Sequence, residues 1–89
     1  MQFEWGPTKA RTNEAKHEVS SEEATEIFAD SLSSTAADPD HSDDEERFVI
    51  FGKSSDERYL VASFTERGGR LRIISARTMT RRKRAAYAQ

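Results

Sequence analysis

The chain has 89 residues, of which 35% are hydrophobic and 34% charged, with a formal net charge of −2 and no cysteine. This length and composition allow one domain with a small core, and the lack of cysteine excludes disulfides and thiolate metal sites. No apolar run is long enough to cross a membrane and the first residues lack the apolar stretch of a signal peptide, so we expect a cytoplasmic protein without a membrane partner.

Charge divides the sequence into two halves. Residues 1–46 contain thirteen Asp and Glu against three Lys and Arg, for a net charge of −10. Residues 47–89 contain eleven Lys and Arg against three acids, for a net charge of +8. A basic half rich in Arg favours a nucleic-acid partner, because the guanidinium group can make bidentate contacts to phosphate. The alternative is a solvated basic tail without a ligand.

The N-terminal half predicts a short extended segment followed by two helices. Residues 2–5 are aromatic and extended in character, and Gly6-Pro7 ends them. Proline suits the first turn of a helix, and residues 8–17 are rich in good helix formers. Ser20 and Glu23 have the spacing of a capping box, and the apolar residues after them indicate a second helix at about residues 21–30.

Residues 33–46 are polar and acidic and contain a proline, so we interpret them as a loop. This loop is long for a compact domain, which is typical of functional or mobile loops. Its aspartates superficially resemble a calcium-binding loop, but they lack the central glycine and the final glutamate spacing of an EF-hand. We therefore expect no metal site and no cofactor.

Three β-rich runs follow at residues 47–52, 58–65 and 70–75. Gly68-Gly69 favours a tight hairpin between the last two runs. After them, Thr78 or Thr80 can cap a final short helix that extends through Ala86-Tyr87.

The order β-α-α-β-β-β-α predicts one α+β domain over residues 1–89, with helices packed on one face of a small antiparallel sheet. The opposite face would then be open to solvent or to a ligand. In the last strand, Arg70, Arg72 and Ile74 would project from one face and the intervening residues from the other. That geometry suits a sheet that binds phosphate.

Short motifs along the chain match those of a known family, in order and with compatible spacing. The first half contributes Phe3-Glu4-Trp5, Lys9, Asn13, Lys16-His17, Val19-Ser20, Glu22-Glu23-Ala24 and Phe28-Ala29-Asp30. The second half contributes Asp44-Glu45-Glu46-Arg47, Gly52-Lys53-Ser54, Arg72-Ile73-Ile74-Ser75-Ala76-Arg77, Arg84 and Tyr87. With these motifs the chain resembles the BrnT toxins of type II toxin–antitoxin systems.

The resemblance implies a RelE-like fold and a metal-independent endoribonuclease that cuts cellular RNA and arrests translation and growth. It also implies a BrnA-like antitoxin of ribbon-helix-helix type, which carries the DNA-binding part, so that operator DNA is bound only through the complex. Three positions depart from the family pattern. Gly6 stands where the family usually has an acid, Glu18 where it usually has glycine, and Lys83 where it tends to have glutamate.

Cleavage of RNA without a metal needs a base for the 2′-hydroxyl, an acid for the leaving 5′-oxygen and cations for the phosphoryl oxygens. Guided by the resemblance, we predict that the catalytic residues are Arg77, His17, Lys16, Glu46 and Arg47. We predict that the RNA-binding residues are Arg72, Arg81, Arg82, Arg84 and Tyr87. Arg77 suits a phosphate ligand, and histidine changes its charge near neutral pH.

Each of these roles has a structural alternative. His17 could contact the last carbonyls of its helix, and Arg77 could pair with Glu45 or Glu46. Tyr87 could stack on a base, donate a proton, or belong to the core or to an antitoxin contact. His41 lies outside the matching motifs and is interpreted as incidental, and Trp5 is assigned to the core.

A second class of function is a noncatalytic nucleic-acid-binding subunit. A related possibility is a decayed toxin that still binds its antitoxin. Binding without turnover would show an affinity that falls with salt according to the number of phosphates contacted.

Overall fold

Five strands form a single sheet, and three helices and one 3₁₀ turn pack around it. The computed structural model describes residues 2–38 and 46–87. In chain order the elements are β1 (Gln2–Glu4), α1 (Pro7–His17), α2 (Ser21–Glu26), the 3₁₀ turn (Ile27–Ala29), β2 (Ser34–Ala37), β3 (Phe48–Lys53), β4 (Tyr59–Arg67), β5 (Arg70–Thr78) and α3 (Arg81–Tyr87). The α+β class predicted from the sequence is confirmed.

The sheet is mixed, so the prediction of a purely antiparallel sheet is wrong. Its strand order is β1-β5-β4-β3-β2, and the pairs formed by β2 to β5 are antiparallel. The first strand instead runs parallel to the last, with Phe3 opposite Leu71. A parallel pair needs a long crossover, and here all the intervening elements supply it.

The segment predicted as a loop over residues 33–46 contains a strand. β2 pairs with β3, with Ser34 opposite Phe51 and Ala37 opposite Phe48. All four β2 side chains are exposed, so this strand lacks the apolar alternation by which strands are recognised in a sequence. The predicted loop residues 39–45, with His41 among them, lie outside the described residues.

One face of the sheet carries the hydrophobic core. Its buried members are Val19, Ala24, Ile27, Ile50, Leu60, Ala62, Phe64, Leu71, Ile73 and Ala76. Trp5, Phe28 and Phe48 are partly buried against this cluster, in agreement with the core role predicted for Trp5. The 3₁₀ turn lies very close to β3, because a Cβ built on Gly52 would be 2.9 Å from the Cβ of Ile27. Glycine is therefore required sterically at this position.

The predicted N-cap at Ser20 forms, but the Glu23 side chain does not complete the capping box. The Ser20 hydroxyl accepts a hydrogen bond from the Glu23 backbone N–H at 3.1 Å. The buried Glu23 carboxylate points elsewhere: it accepts from the Ser54 hydroxyl at 2.9 Å and lies 3.2 Å from Arg58. Arg58 also donates to the Glu18 carbonyl at 3.0 Å. This network ties the end of α1 and the start of α2 to the turn between β3 and β4.

The predicted hairpin between the last two strands is confirmed. Gly68 and Gly69 have φ values of 54° and 81°, which glycine adopts without a steric penalty. The hairpin sets the register in which Arg67 lies opposite Arg70. It therefore aligns residues 60–67 of β4 with residues 70–78 of β5.

Candidate nucleic-acid interface

A groove of about 270 Å³ lies between α1 and β5. It is lined by Thr8, Lys9, Thr12, Asn13, Lys16, His17, Ile74 and Ser75. Two predicted catalytic residues, Lys16 and His17, therefore lie beside β5. The same strand carries Arg72 and Arg77. His17 is half-buried and Lys16 is exposed, so both can meet a ligand in the groove.

Asn13 fixes α1 in this position. Its side-chain carbonyl accepts a hydrogen bond from the Ala76 N–H at 3.1 Å. Its amide donates to the Ala76 carbonyl at 2.9 Å and lies 3.3 Å from the Val19 carbonyl. β1 pairs with residues 70–72 of β5. Further along this edge, the Asn13 side chain makes the hydrogen bonds to the Ala76 backbone that a neighbouring strand would otherwise make. In the sequence, Asn13 is recognised only as part of the family resemblance, and its bonds to β5 are not predicted.

Glu18 ends α1 directly after the two groove residues Lys16 and His17. It is the C-cap, with φ 59° and ψ 34°, and its N–H donates to the Glu14 carbonyl at 2.8 Å. This left-handed conformation favours glycine, which explains why the family usually has glycine at this position. The presence of Glu18 instead of glycine therefore affects the end of α1, and the side chains of Lys16 and His17 still line the groove.

A β-bulge turns Arg77 toward the face of the sheet opposite the core. Phe64 pairs with Ile73 and Ser63 pairs with Ser75, so Ile74 is an extra residue in β5. Without the bulge, strand alternation would put Arg72 and Arg77 on opposite faces. With it, both residues share the open face with Ser75. Ile74 instead lines the groove, and its predicted place in simple alternation with Arg70 and Arg72 is wrong.

Arg70 and Arg72 share a single acidic partner on the neighbouring strand. Arg70 Nη1 lies 3.1 Å from Glu4 Oε2, and Arg72 Nη1 lies 3.9 Å from Glu4 Oε1. In contrast, Arg77 is exposed and forms no ion pair within residues 2–38 and 46–87, Glu46 included. Glu45, its other predicted partner, lies outside the described residues. The guanidinium of Arg77 is therefore available to a ligand.

α3 lies over the open face at its β3–β4 side. The Thr80 hydroxyl caps it by accepting from the Lys83 N–H at 3.1 Å. Lys83 Nζ is 4.7 Å from the centre of the Phe51 ring, and the Arg84 guanidinium carbon is 5.2 Å from that of Tyr59. Phe51 and its partner Val61 alternate with core residues, so these contacts place α3 opposite the core helices. The prediction that the helices share one face is wrong for α3.

Tyr87 anchors the end of α3. Its hydroxyl lies 2.9 Å from Asp30 Oδ2 and 2.8 Å from the Leu32 carbonyl oxygen, and its ring packs edge-on against Tyr59 at 5.8 Å. Burial first, and then the hydrogen bond to Asp30, raise the pKa of Tyr87 to about 12. Backbone N–H donors from Leu32 and Lys53 lower the pKa of Asp30. The phenol therefore stays protonated and donates within the molecule.

Arg81 and Arg82 are exposed at the start of the same helix. With Lys83 and Arg84 they form a run of four cations, and the first turn contains no acid. The N-terminal end of a helix dipole disfavours cations. The contacts of Lys83 and Arg84 with aromatic rings offset this for two of them, and Arg81 and Arg82 face solvent.

Glu46 and Arg47 lie apart from the groove. Together with Ala37 and Phe48 they line a separate cavity of about 170 Å³. They directly precede β3, which is two positions from β5 in the sheet, or about 10 Å at the usual strand spacing. Continuing the register puts Arg47 opposite Thr65, whose other neighbour is Arg72. The structure therefore groups Arg47 with Arg72 and separates both Glu46 and Arg47 from Lys16 and His17.

Two buried polar atoms, one on Arg47 and one on Thr65, have no hydrogen-bond partner among the described residues. Arg47 Nε and Thr65 Oγ1 are buried and accept or donate no hydrogen bond within the described part of the chain. A third such atom is Nε1 of Trp5. Buried polar atoms are usually hydrogen-bonded, so the Arg47 and Thr65 atoms mark a position where a ligand or water oxygen can bind.

Across residues 2–38 and 46–87, no group of three or more His, Cys, Asp or Glu side chains is arranged to hold a metal ion. No helix in these two ranges has the length and apolar content needed to cross a membrane.

Comparisons with known proteins identify the family and the fold. A family model described as "Ribonuclease toxin, BrnT, of type II toxin-antitoxin system" matches residues 5–83. The fold is similar to a 1.1 Å crystal structure of the Brucella abortus ribonuclease toxin BrnT, with a TM-score of 0.67 and 23% sequence identity over 91% of this chain and 99% of that one. A search of curated proteins finds no significant match. The family match spans most of the sequence, and the chain belongs to the BrnT family of ribonuclease toxins of type II toxin–antitoxin systems.

Proposed function

We propose that the chain is a metal-independent endoribonuclease whose phosphate-binding centre is the α1–β5 groove together with the adjoining open face. The observation that carries this proposal is the bulge at Ile74. It brings Arg77 to the same face as Ser75, beside the helix that carries Lys16 and His17. Lys16 and His17 line the groove, and Arg77 follows the lining residue Ser75 by two positions on the same face of β5.

In this proposal, the 2′-oxygen of the substrate forms a bond to the adjacent phosphorus while the bond from that phosphorus to the leaving 5′-oxygen breaks, and Arg77 and Lys16 stabilise the charge that develops on the phosphoryl oxygens. His17 takes the proton of the 2′-hydroxyl and returns it to the leaving 5′-oxygen, because an imidazole ring, among the side chains that line the groove, can both accept and donate a proton. Arginine cannot act as the base, since it stays protonated in proteins.

Arg47 and Arg72 act as a second contact on the same strand of RNA in this proposal. Support comes from their shared position beside Thr65 and from the unpartnered buried atoms of Arg47 and Thr65. Glu46 is exposed, directly precedes Arg47 and lines the same cavity. This assigns RNA positioning, rather than proton transfer, to the Glu46–Arg47 pair.

The cations of α3 contact the RNA backbone. Arg81 and Arg82 are exposed, and Arg84 lies over the ring of Tyr59. Tyr87 contributes indirectly because its hydroxyl holds α3 against Asp30. Each phosphate contact makes RNA binding weaker as salt increases.

Membership in a type II system implies a cognate antitoxin. We propose that this antitoxin is BrnA-like, of ribbon-helix-helix type, and that the complex binds operator DNA through it. The cytoplasmic location and the RelE-like relationship of the fold are predictions of the same kind.

The test is cleavage of RNA by purified protein in the presence of EDTA. We expect cleavage to persist in EDTA, and Arg77→Ala to slow it by about 10²-fold, as the loss of one charge-stabilising donor does in other enzymes. Arg11→Ala is the matched control, because Arg11 is an exposed cation of α1 that does not line the groove. Cleavage abolished by EDTA would contradict metal independence. Salt-dependent binding without any cleavage would favour the noncatalytic or decayed alternative.

A further inference from the structure

A second cavity of about 270 Å³ lies between the end of β1 and the start of α2. Its lining includes Phe3 and Trp5 from the N-terminal segment, Glu22 from α2 and Ile73 from β5. Ile73 directly precedes Ile74, which lines the α1–β5 groove, and successive residues of a strand are only about 3.3 Å apart. The second cavity and the groove are therefore neighbours along β5.

The indole nitrogen of Trp5 indicates that this cavity takes a ligand. Trp5 lines the cavity, and its Nε1 is buried without a hydrogen-bond partner among the described residues. An indole N–H can only donate, and buried polar groups are usually hydrogen-bonded. The missing partner is therefore an acceptor atom, and a ligand in the cavity can supply it.

The Glu22 carboxylate offers the complementary hydrogen-bonding group. It forms no ion pair and no side-chain hydrogen bond within residues 2–38 and 46–87. Glu4, which also lines the cavity, is instead paired with Arg70 and Arg72. An ionised carboxylate only accepts hydrogen bonds, through two oxygens. The cavity therefore suits a ligand that presents an acceptor to Trp5 and donors to Glu22.

The remaining walls of the cavity are apolar and partly aromatic. The Phe3 ring packs against Phe28 at a centroid distance of 5.1 Å, and Phe3 is still 36% exposed. Ile73 adds aliphatic surface. Proteins that bind unpaired RNA bases combine stacking on aromatic side chains with hydrogen bonds to the edge of the base. This combination of walls and polar groups fits a nucleobase.

The groove and the second cavity differ in charge. Among the described lining residues, the groove has Lys9 and Lys16 and no acid, whereas the second cavity has Glu4 and Glu22 and no cation. A phosphate in the second cavity would meet charges of its own sign, and an uncharged base would not. An RNA strand whose scissile phosphate lies at the groove therefore places a base in the second cavity.

We propose that the second cavity is a base pocket that binds guanine in a nucleotide next to the scissile phosphate. Guanine presents its N1–H and its N2 amino group side by side, so both can donate to the Glu22 carboxylate, while its O6 accepts from Trp5. The Watson–Crick edges of the other three bases lack two adjacent donors of this kind. The inference rests on the proposed function, which gives the groove its phosphate.

Trp5 is the single tryptophan of the chain, so its fluorescence reports on the base pocket directly. The first experiment titrates the purified protein with GMP and, separately, with AMP, CMP and UMP. We expect GMP to change the Trp5 emission and to bind roughly tenfold more tightly than the other three. Glu22→Gln should lose most of this preference. Glu14→Gln is the matched control and should keep it, because Glu14 is an exposed acid of α1 that lines neither cavity.

Three results of the titration would overturn the proposal. They are an emission that no nucleotide changes, an equal response to all four nucleotides, and a wild-type preference for GMP in Glu22→Gln. A cavity that holds only water gives the first of these results.

Mapping of cleavage sites separates the base pocket from the proposed ribonuclease. Wild-type protein should cut RNA of mixed sequence, in EDTA, at bonds next to guanine. Trp5→Phe removes the N–H but keeps an aromatic ring, and it should reduce this preference by roughly tenfold. Cleavage without any base preference would overturn the base pocket and leave the ribonuclease in place. Binding selective for GMP without any cleavage would support the pocket and contradict the ribonuclease.

Discussion

Asn13 takes the place of a neighbouring strand at the edge of β5. It makes two hydrogen bonds to the backbone of Ala76 and a longer one to Val19. These bonds hold the whole of α1 at the side of the strand, and the groove depends on them. The sequence could not predict this role, because α1 is polar along most of its length and has no apolar stripe to indicate which side packs.

Asn13→Ala should destabilise the protein by about 1–3 kcal/mol, because it leaves the buried N–H and C=O of Ala76 without partners. Urea unfolding measures this change. Thr12→Ala is the control, since Thr12 is an exposed neighbour on the same helix. Equal unfolding free energies for the two variants would show that the Asn13 bonds do not hold the helix.

Glu18→Gly should raise stability by about 0.5–1 kcal/mol, because Glu18 has a left-handed backbone with φ 59° that glycine adopts without strain. The hydrogen bond from Arg58 is kept, since it is accepted by the Glu18 backbone carbonyl. Glu18→Ala removes the same carboxylate but retains Cβ, and should give no such gain. A lower thermal midpoint for the glycine variant than for the alanine variant would contradict this explanation of the family's preference.

At the scale of elements, α3 is attached to the rest of the molecule through a few side chains. None of its residues is buried. It is held by the cap at Thr80, by ring contacts of Lys83 and Arg84, and by Tyr87 bonded to Asp30. It carries four cations over the open face, so its position determines where they can meet RNA.

Tyr87→Phe should loosen α3 at neutral pH, with faster amide exchange in α3 and little change in β4. The Asp30 pKa is lowered from its ordinary 3.8, so its contribution is present above that value and is lost as pH falls through the lower folded value. The Tyr87 pKa is raised to about 12, so its contribution is present below its ordinary value and is lost as pH rises through about 12.

The difference between wild type and Tyr87→Phe should therefore be largest between about pH 4 and pH 10 and should shrink on either side. Thermal unfolding across this range, on both proteins, measures the difference. A constant difference at all pH values would show that the hydroxyl does not act through Asp30.

Local chemistry explains which elements were predictable. Gly68-Gly69, Ser20 and Thr80 each act within a few residues of their own position, and the predicted hairpin turn and the two helix caps form. The parallel pairing of β1 joins Phe3 to Leu71, and no short-range pattern encodes contacts so far apart. The bulge at Ile74 arises because β5 has one more residue than β4 between two paired positions. The alternation of apolar and polar residues in β5 alone could not indicate it.

At the scale of the whole molecule, the opposite charges of the two halves meet at the sheet. The basic half forms β3 to β5 and α3, and the acidic half contributes Glu4, which pairs with Arg70 and Arg72. Family membership and the basic open face could be predicted from the sequence. The groove could not, because it requires Asn13, the bulge and the hairpin register together.

In the proposed function, Arg77 and Lys16 act on one phosphate at the α1–β5 groove. A double-mutant cycle of Lys16→Ala and Arg77→Ala, read as RNA cleavage rates in EDTA with Arg11→Ala as the control, tests it most directly. Residues that act on one transition state are non-additive, so the double variant should be little slower than the slower single variant. Rate losses that simply multiply, or a loss in Arg11→Ala as large as that in Arg77→Ala, would contradict a shared phosphate site.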